Sequence, residues 1–483
     1  MSFLGIDLGT SGLRALLVDG GGRPIGSTER HYPVSHPHSG WSEQDPADWI
    51  AALEGAVSEL RERHPEFLAL RGIGVAGHMH GATLLDDHDR VIRPCILWND
   101  TRSHEQAARL DAVPGFRELS GNIVFPGFTA PKLEWLREHE PENHARIARV
   151  LLPAAFLNLY LTGDHVTDMS DAAGTSWLDT GARDWSDALL EAGHMRRGQM
   201  PRLVEGSAPA GLLRGDLAQA WGLSRPVAVA GGAGDNAAAA CGIGAMAEGQ
   251  GFVSLGTSGV LLAARDGYRP APATALHTFC HAVPDTWYQM GVMLSATDSL
   301  NWLARIAGAR PADLTAGLGD TLRQPGAVRF LPYLSGERTP HNDAVIRGAF
   351  TGLGSETTRD DLTRAVLEGV AFGLRDSHEA LKATGARLER IMAIGGGARS
   401  RYWLKVIATA LDVTLTLPAD GEFGAALGAA RLGMAAAGAG GIRDIMTPPE
   451  VVEEIAPDAA LRGRFDAAYQ AFRAAYPAIR GAQ

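Results

Sequence analysis

The sequence has few cysteines and no surplus of positive charge, and each shortage excludes a class of protein. The three cysteines, Cys95, Cys241 and Cys280, are widely spaced and odd in number, so neither a disulfide framework nor a zinc motif is predicted. Lys and Arg number 44 against 55 Asp and Glu, which gives a net charge of −11. A general nucleic-acid-binding or membrane-surface role needs a basic face and is therefore not expected.

Long apolar runs are also missing. The N-terminus enters a strand at once, without the basic start of a signal peptide. The longest apolar region, Pro226 to Ala247, is interrupted by Asp235, Asn236 and many glycines, so no membrane span is predicted. The composition, 45% hydrophobic and 20% charged, is that of a globular protein. We expect a cytoplasmic protein whose 483 residues form more than one core.

One short pattern occurs twice, as Leu8-Gly9-Thr10-Ser11-Gly12 and as Leu255-Gly256-Thr257-Ser258-Gly259. Apolar runs on both sides of each copy predict the two strands of a hairpin. The hydroxyls, and the backbone N–H groups that the glycines expose, would form a cradle for phosphate oxygens. Either copy alone could be an ordinary turn, but two copies indicate related halves around a shared cleft. The first copy has Asp7 where the second has Ser254, so only one half brings a carboxylate, as a bound cation would require.

Polar side chains follow the predicted buried strand Gly72 to Gly77, which comes after a helix predicted to begin at Asp45-Pro46. In an open α/β sheet, residues at the carboxyl end of a strand face the ligand crevice. His78 and His80 have the spacing of metal ligands, but no third ligand is near them. We therefore favour recognition of a substrate by His80, with Met79 packing beside it. Trp98 and Asn99 also end an apolar run, although a tryptophan is as often in the core as stacked on a ligand.

A second buried strand, Pro226 to Ala230, runs through a glycine loop into Asp235, Asn236 and an alanine-rich helix. Asp235 could simply cap this helix. A carboxylate at a strand end is also suited to taking a proton from an alcohol. The functional prediction is that Asp235 is a general base and that Asn236 hydrogen-bonds to a neighbouring hydroxyl.

The second half contains a further glycine turn. A predicted strand, Ile391 to Ile394, ends in Gly395-Gly396-Gly397 before a predicted helix from Tyr402 to Leu411. Three glycines would let a flat group approach the backbone, which suits a nucleotide base or its ribose. A helix is also predicted from Arg359 to Ala383. The small residues of segment 423–430 predict a closely packed helix, which could act as a hinge at a domain junction.

The two hairpins and the later glycine turn resemble the actin-like ATPase superfamily. Within it, Gly127 to His139 and the segment beginning at Gly348 and ending at Glu368 resemble the two signatures of the FGGY-type carbohydrate kinases, which phosphorylate glycerol, gluconate and pentuloses. Further segments are similar to the members of this family that act on D-xylulose. They are Trp41 to Pro46, His78 to Asp86, Ile96 to Asp100, Ser170 to Thr175, Leu331 to His341 and Gly395 to Ser400. Two positions depart from the family pattern: Ala233 looks inserted in the glycine loop, and His78 stands where Gln is common.

The resemblance implies an α/β fold of two actin-like, or ribonuclease H-like, lobes, each a mixed sheet flanked by helices, with the active site in the cleft between them. Residues 1–245 would form the lobe on the sugar and phosphate side, and residues 246–483 the lobe on the ATP side. The implied reaction is Mg²⁺- and ATP-dependent phosphorylation of the C5 hydroxyl of D-xylulose, with closure of the lobes over the sugar. Another pentulose or a polyol is the first alternative, and a non-kinase actin-like ATPase the second. The implied partners are the sugar and ATP, with neither nucleic acid nor membrane, and the chain could form a homodimer.

The same resemblance implies roles for single residues. Asp235 would be the catalytic base, and Asp7 would hold Mg²⁺ through water. Residues lining the sugar would be Met79, His80, Trp98, Asn99, Asp235 and Asn236. The phosphates would be held by Gly9, Thr10, Ser11, Gly256 and Thr257, and the adenosine by Gly396, Gly397 and Ser400.

Overall fold

The computed structural model describes residues 1–419 and 424–482. Its main features are two seven-stranded sheets, one built from residues before 235 and one from residues after 250. In the part of the chain described, no helix is both long and apolar enough to cross a membrane.

The first sheet contains strands β1 (Ser2–Leu8), β2 (Gly12–Asp19), β3 (Pro24–His31), β4 (Leu70–Gly77), β5 (Pro209–Leu212), β6 (Ala228–Ala230) and β7 (Ala233–Gly234). Strands β1, β2 and β3 form an antiparallel meander, as the first hairpin pattern predicts. On the other side of β1, strands β4 and β6 run parallel to it, and β7 pairs with the end of β4. The carboxyl ends of β1, β4 and β7 therefore meet at one edge of the sheet.

The second sheet contains strands β8 (Gly251–Leu255), β9 (Gly259–Arg265), β10 (His277–Cys280), β11 (Trp287–Met293), β12 (Arg390–Ile394), β13 (Thr414–Pro418) and β14 (Val451–Ile455). Its order is β10-β11-β9-β8-β12-β13-β14. Strands β8 and β9 form the second predicted hairpin, and β12 and β13 run parallel to β8. Both sheets thus join an antiparallel hairpin to two parallel strands.

The longer helices are α1 (Pro46–Arg63), α2 (Thr129–His139), α3 (Pro153–Thr162), α4 (Asp235–Ile243), α5 (Thr297–Ile306), α6 (Arg359–Ala383), α7 (Arg401–Leu411), α8 (Gly424–Ala436) and α9 (Arg462–Arg480). Helix α1 begins as predicted, because the Asp45 side chain accepts a hydrogen bond from the Ala47 N–H at 2.9 Å. One apolar core packs α1 and α3 on the first sheet, and a second packs α6 and α7 on the second sheet. A third lies between the other faces of both sheets, with α4 and α8.

The remaining strands and α-helices are shorter. The short strand pairs are Glu43–Gln44 with Cys95–Ile96, Thr83–Leu85 with Arg149–Leu151, Val166–Asp168 with Arg202–Val204, Leu178–Asp179 with Asp184–Trp185, and Arg329–Leu331 with Ala349–Thr351. The short helices are His104–Asp111, Phe116–Ser120, Pro141–Ala145, Met169–Ala172, Asp187–Ala192, Gly215–Ala220, Pro311–Ala316 and Ile442–Ile445.

Helix α8 packs against α4 and the first sheet, although it follows the second sheet in the chain. A Cβ added to Gly428 would lie 1.7 Å from the Ala238 carbonyl oxygen, and one on Gly5 would lie 1.9 Å from that of Ala426. Only glycine permits such backbone contact. The predicted close packing of the small-residue helix is therefore confirmed, whereas Phe423, its predicted first residue, lies outside the described residues. The hinge role and the division of the chain at residue 245 stay predictions.

Candidate active site

Asp7 and Asp235 come together where the first sheet ends. Asp7 is next to last in β1, and Asp235 opens α4 directly after β7. Both residues are half-buried. Burial, and then the negative charge of Asp235, raise the pKa of Asp7 to about 7, against the opposing effect of the Arg14 guanidinium. Burial also raises the pKa of Asp235. Neighbouring carboxyl groups with raised pKa values in a partly open site are typical of a catalytic centre.

The Asp235 carboxylate is held by the residue that follows it. The cap position of α4 is occupied by Gly234, so Asp235 is not the helix cap that the alternative prediction assumed. Its Oδ1 accepts hydrogen bonds from the backbone N–H of Asn236 at 2.6 Å and from Asn236 Nδ2 at 2.8 Å. Ala233, which looked inserted, pairs with Ala76 as part of β7 and extends the sheet up to the carboxylate.

The turn of the first hairpin is held by contacts from elsewhere in the first half. The Gly9 N–H donates to the Gly12 carbonyl at 2.9 Å, and Gln44 Nε2 donates to the Thr10 carbonyl at 2.6 Å. Trp98 Nε1 donates to Thr10 Oγ1 at 2.9 Å. Trp98, predicted to line the sugar, is therefore placed beside a residue predicted to hold phosphate.

Ser11 and Asn99 also lie near this turn, and their side chains are exposed. The predicted contact of Ser11 with phosphate and that of Asn99 with the sugar stay predictions.

The turn of the second hairpin is tied to the start of α5. The Gly256 carbonyl accepts from the Thr297 N–H at 2.9 Å and from Thr297 Oγ1 at 2.7 Å. The Thr257 carbonyl accepts from the Ala296 N–H at 2.8 Å. These bonds engage the carbonyl side of the turn and leave the Thr257 side chain exposed. The hydroxyl is therefore available to a ligand.

A cavity of about 390 Å³ lies beside the predicted adenosine residues. A Cβ on Gly396 would meet nothing within 4 Å, whereas one on Gly397 would lie 2.8 Å from Leu255 Cβ. Gly396 thus keeps the cavity open, and Gly397 allows close packing. Ser400 lines the cavity and also caps α7, since its Oγ accepts from the Trp403 N–H at 3.3 Å. The remaining lining residues, to which the sequence analysis assigned no role, are Thr297, Leu300, Asn301, Pro311, Ala312, Thr315, Arg399 and Trp403.

His80 is held in an unusual conformation. Its φ is 70°, in the left-handed region that a residue with a side chain rarely adopts. The ring stacks on Phe128 with centroids 4.3 Å apart, and Nδ1 lies 2.7 Å from the Gly174 carbonyl oxygen. Burial lowers the pKa of His80 to about 3, so the ring is neutral near pH 7. Nδ1 must then carry the proton that it donates to the carbonyl, which leaves Nε2 as an acceptor.

Lys132 and Thr129 hold the backbone of His80. Lys132 Nζ donates to the His80 carbonyl oxygen at 2.7 Å, and Thr129 Oγ1 donates to it at 3.1 Å. Both residues are buried, and burial lowers the pKa of Lys132 to about 7. Sequence reasoning assigned neither of them a role, although both lie in the segment that resembles the first family signature.

Met79 is buried between two backbone segments. A Cβ on Gly234 would lie 2.8 Å from Met79 Cγ, and one on Gly174 would lie 3.0 Å from Met79 Cε. The loop before Asp235 and the turn at Gly174 therefore both close on this side chain. Met79, His80 and Asp235 are thus brought together, as predicted for residues that share a ligand.

His78 lies in the core beside this group. It makes an edge contact with Trp49 at 5.6 Å, and both its ring nitrogens lack hydrogen-bond partners among the described residues. Burial lowers its pKa to about 3. Within residues 1–419 and 424–482, no group of three or more His, Cys, Asp or Glu side chains could hold a metal. In this part of the chain His78 and His80 thus do not belong to a larger group of such side chains.

Comparisons with known proteins identify the family of the chain. The FGGY family of carbohydrate kinases matches with its N-terminal domain over residues 2–242 and with its C-terminal domain over residues 251–437. A xylulose kinase from Escherichia coli (strain K12) is 47% identical over 439 residues, 90% of each chain. The crystal structure of a "xyloylose kinase" from Brucella ovis is 58% identical, with a TM-score of 0.99 and complete coverage of both chains. The xylulose kinase of Rhodospirillum rubrum is 30% identical, with a TM-score of 0.92 over 100% of this chain and 99% of the other.

These matches confirm the predicted fold of two sheet-containing lobes flanked by helices. They also decide against a non-kinase ATPase, because both halves match carbohydrate kinase domains. The chain belongs to the FGGY family of carbohydrate kinases and is an enzyme that phosphorylates a sugar.

Proposed function

We propose that the enzyme transfers the γ-phosphoryl group of ATP to the C5 hydroxyl of D-xylulose, giving D-xylulose 5-phosphate and ADP. The observation that carries the chemistry is the shared site of Asp7 and Asp235, in which burial raises both pKa values. The choice of sugar is supported by the relatives at 47% and 58% identity, which are named a xylulose kinase and a "xyloylose kinase". Another pentulose or a polyol remains the alternative substrate.

In this proposal Asp235 acts as the general base. Asn236 occupies Oδ1 of the carboxylate with two hydrogen bonds, so Oδ2 would take the proton of the sugar hydroxyl. The sugar oxygen attacks the γ-phosphorus as its O–H bond breaks, and the bond from that phosphorus to the oxygen of ADP breaks in turn. Phosphoryl transfer needs mainly positioning and neutralisation of charge. A carboxylate whose pKa is raised by burial is a better match to a hydroxyl proton than one in water.

The residues at this site suit Mg²⁺. This ion prefers oxygen ligands, keeps several waters, and is usually held by one or two carboxylates together with substrate phosphates. Asp7 would hold the ion through water, and the Thr10 and Thr257 hydroxyls would lie at the phosphates. The residues described include no group of three or more His, Cys, Asp or Glu side chains that could hold a metal. Mg²⁺ does not require such a group, because water and phosphate oxygens complete its coordination. When bound, the ion would neutralise charge on the phosphates.

ATP would lie between the two hairpins and the cavity at Gly396. The hairpin turns with Gly9, Thr10, Ser11, Gly256 and Thr257 would hold the phosphates. The cavity lined by Gly396, Gly397 and Ser400 would take the adenosine. At about 390 Å³, its volume lies within the range of small-molecule sites.

Closure of the lobes over the sugar belongs to the same proposal, because a water molecule would compete with the sugar for the phosphoryl group. Small-angle scattering should show compaction when D-xylulose and a non-hydrolysable ATP analogue are added together. An unchanged radius of gyration would contradict closure. A homodimer stays a prediction that light scattering on the purified protein would test.

A coupled assay of ADP release tests the proposal. The wild type should turn over D-xylulose faster than D-ribulose, L-xylulose, L-ribulose and glycerol, with only slow ADP release when no sugar is present. Asp235→Asn should lower kcat by about 1000-fold or more, since general bases and the groups that orient them contribute effects of this order. Asp187→Asn is a matched control, because Asp187 is also the first residue of a helix but is exposed.

If the wild type preferred another sugar, the proposed mechanism would stand but the proposed substrate, D-xylulose, would be wrong. Sugar-dependent turnover that survives Asp235→Asn would overturn the assignment of the base.

A further inference from the structure

Asp171 is a fully buried carboxylate that the proposed mechanism does not use. Neither of its carboxylate oxygens has a hydrogen-bond partner among the described residues. Its backbone N–H donates to Asp168 Oδ1 at 3.3 Å, so the main chain is engaged while the carboxyl group is not. Burial of a polar group without a partner is costly, and such groups in native proteins call for an explanation.

Asp171 lies on a segment that contacts both sides of the candidate sugar site, the loop before Asp235 and the ring of His80. Just before it in sequence, Ser170 Oγ accepts a hydrogen bond from the Gly234 N–H at 3.1 Å, next to Asp235. Just after it, the Gly174 carbonyl accepts from His80 Nδ1 at 2.7 Å. The segment that carries Asp171 therefore contacts both the loop that leads to the general base and the imidazole proposed to contact the sugar.

The charged groups around Asp171 restrict the kind of ligand. Burial, and then the negative charges of Asp168 and Asp235, raise the pKa of Asp171 well above the usual range. Burial, and then the charges of the same three carboxyl groups, raise the pKa of the Tyr288 phenol, whose hydroxyl lies 3.8 Å from Met79 Sδ. An anionic ligand would be repelled here. The metal alternative is not supported, because these acidic residues do not form a metal-binding group.

A neutral ligand with several hydroxyl groups fits these surroundings. Each hydroxyl can donate to a carboxylate oxygen or accept from a protonated carboxyl, so the Asp171 side chain can be satisfied in either state. A site built to bind a hydroxyl also discriminates strongly against an analogue that lacks it, because its own buried polar group is then left without a partner.

We propose that Asp171 is a substrate-binding residue that hydrogen-bonds a sugar hydroxyl other than the one that is phosphorylated. The proposal rests on the proposed function, since its ligand is the sugar of that reaction. Asp171 would determine specificity, whereas Asp235 would serve the transfer itself.

The test compares D-xylulose with its 3-deoxy and 4-deoxy analogues on the wild type, Asp171→Ala and Asp171→Asn. The wild type should prefer D-xylulose to the analogue that lacks the bound hydroxyl by about 100-fold or more in kcat/KM. In Asp171→Ala this preference should fall below about tenfold, mainly because kcat/KM on D-xylulose itself is lost. Asp171→Asn keeps an acceptor and a donor and should retain more of the preference than the alanine variant.

Two further measurements separate binding from a merely structural role. Nucleotide affinity, measured by calorimetry without sugar, should equal that of the wild type in both variants. The melting temperature should be unchanged or higher, because the substitution removes a buried carboxyl group without a partner. Equal losses on D-xylulose and on both analogues, or a lowered melting temperature with unchanged preference, would overturn the proposal.

Failure of the proposed function would look different, because the wild type would then turn over another sugar in place of D-xylulose. The same comparison would then be made with the deoxy analogues of that sugar. An unchanged preference in Asp171→Ala would overturn the role of Asp171 for that sugar as well.

Discussion

The two hairpins have the same turn sequence and similar surroundings in their sheets, yet they differ in charge. In the first hairpin Asp7 pairs with Arg14, and in the second Ser254 pairs with Val260 at the corresponding place. The first turn is held by side chains of its own half, and the second by the start of α5. Two copies of one backbone turn can thus offer similar cradles for phosphate, while one residue decides which copy carries a carboxylate.

The parallel strands beside the hairpins differ in the same way. In the first half β4 leads to Met79, which is buried, and to His80, whose ring stacks on Phe128. In the second half β12 leads to glycines that leave a cavity of about 390 Å³. The equivalent strand end therefore carries packed side chains in one half and borders a cavity in the other. This difference agrees with a sugar site in one half and a nucleotide site in the other.

Removing the carboxylate from the first hairpin should have the largest effect on activity, and it should separate the two hairpins most clearly. Asp7→Asn should lower kcat by about 1000-fold, because the charge that would hold Mg²⁺ is lost. Ser254→Ala, at the corresponding position, should change kcat by less than about fivefold. Steady-state kinetics with saturating ATP and sugar would measure both. Similar losses in the two variants would contradict the asymmetry of the hairpins.

Disturbing the packing between the halves should have the next largest effect. Gly428→Ala places a Cβ 1.7 Å from the Ala238 carbonyl oxygen, so α4 and α8 must separate, at a cost of about 2–4 kcal/mol in the free energy of unfolding. Gly463→Ala is the control, since it lies in α9 and its Cβ would meet nothing within 4 Å. That variant should be neutral or up to about 1 kcal/mol more stable. Urea denaturation followed by circular dichroism would give both values, and equal midpoints would contradict the close contact.

The raised pKa of Asp7 predicts a dependence of stability on pH. Asp7 has a pKa of about 7 in the folded protein against 3.8 as the ordinary value. Its contribution to stability is therefore fully present below about pH 4 and is lost as the pH rises toward 7. Asp7→Asn should be more stable than the wild type at pH 8, by on the order of 1–2 kcal/mol, and equal to it at pH 4.

Melting curves at pH 4 and pH 8 measure the difference in stability between Asp7→Asn and the wild type. The same difference at both pH values would contradict the raised pKa of Asp7. In the wild type, kcat/KM should decrease as the pH is lowered below about 7, because a protonated Asp7 no longer supplies the negative charge proposed to hold Mg²⁺.

The glycine turn of the second half should give the smallest effects. Gly396→Ala should leave the melting temperature unchanged and raise the KM for ATP a few-fold, because its Cβ would enter the open cavity. Gly397→Ala should lower the free energy of unfolding by about 1–2 kcal/mol, since its Cβ would lie 2.8 Å from Leu255 Cβ. Kinetics and melting curves on both variants would separate the role of Gly396 in the cavity from the role of Gly397 in packing. A destabilised Gly396→Ala would contradict the assignment of this residue to the cavity.

Several features could be predicted because their signals are local. The hairpins follow from apolar runs around a glycine turn, and α1 from Asp45 before Pro46 and a helical apolar repeat. The bounds predicted for α6, from Arg359 to Ala383, are those observed. In contrast, the short strands Arg149–Leu151, Val166–Asp168 and Leu178–Asp179 were not predicted. Strands of two or three residues are too short to show an alternating pattern.

The sequence by itself determined the two hairpins, the placement of Asp235 at the start of a helix, and the family. These depend on neighbouring residues or on long matching segments. Only the tertiary structure decided that Lys132 holds His80, that α8 packs on the first sheet, and that Asp171 is buried without a partner. The physical reason is that hydrogen bonds, burial and charge at these places depend on residues far apart in the chain, whose approach is decided by how the two halves pack.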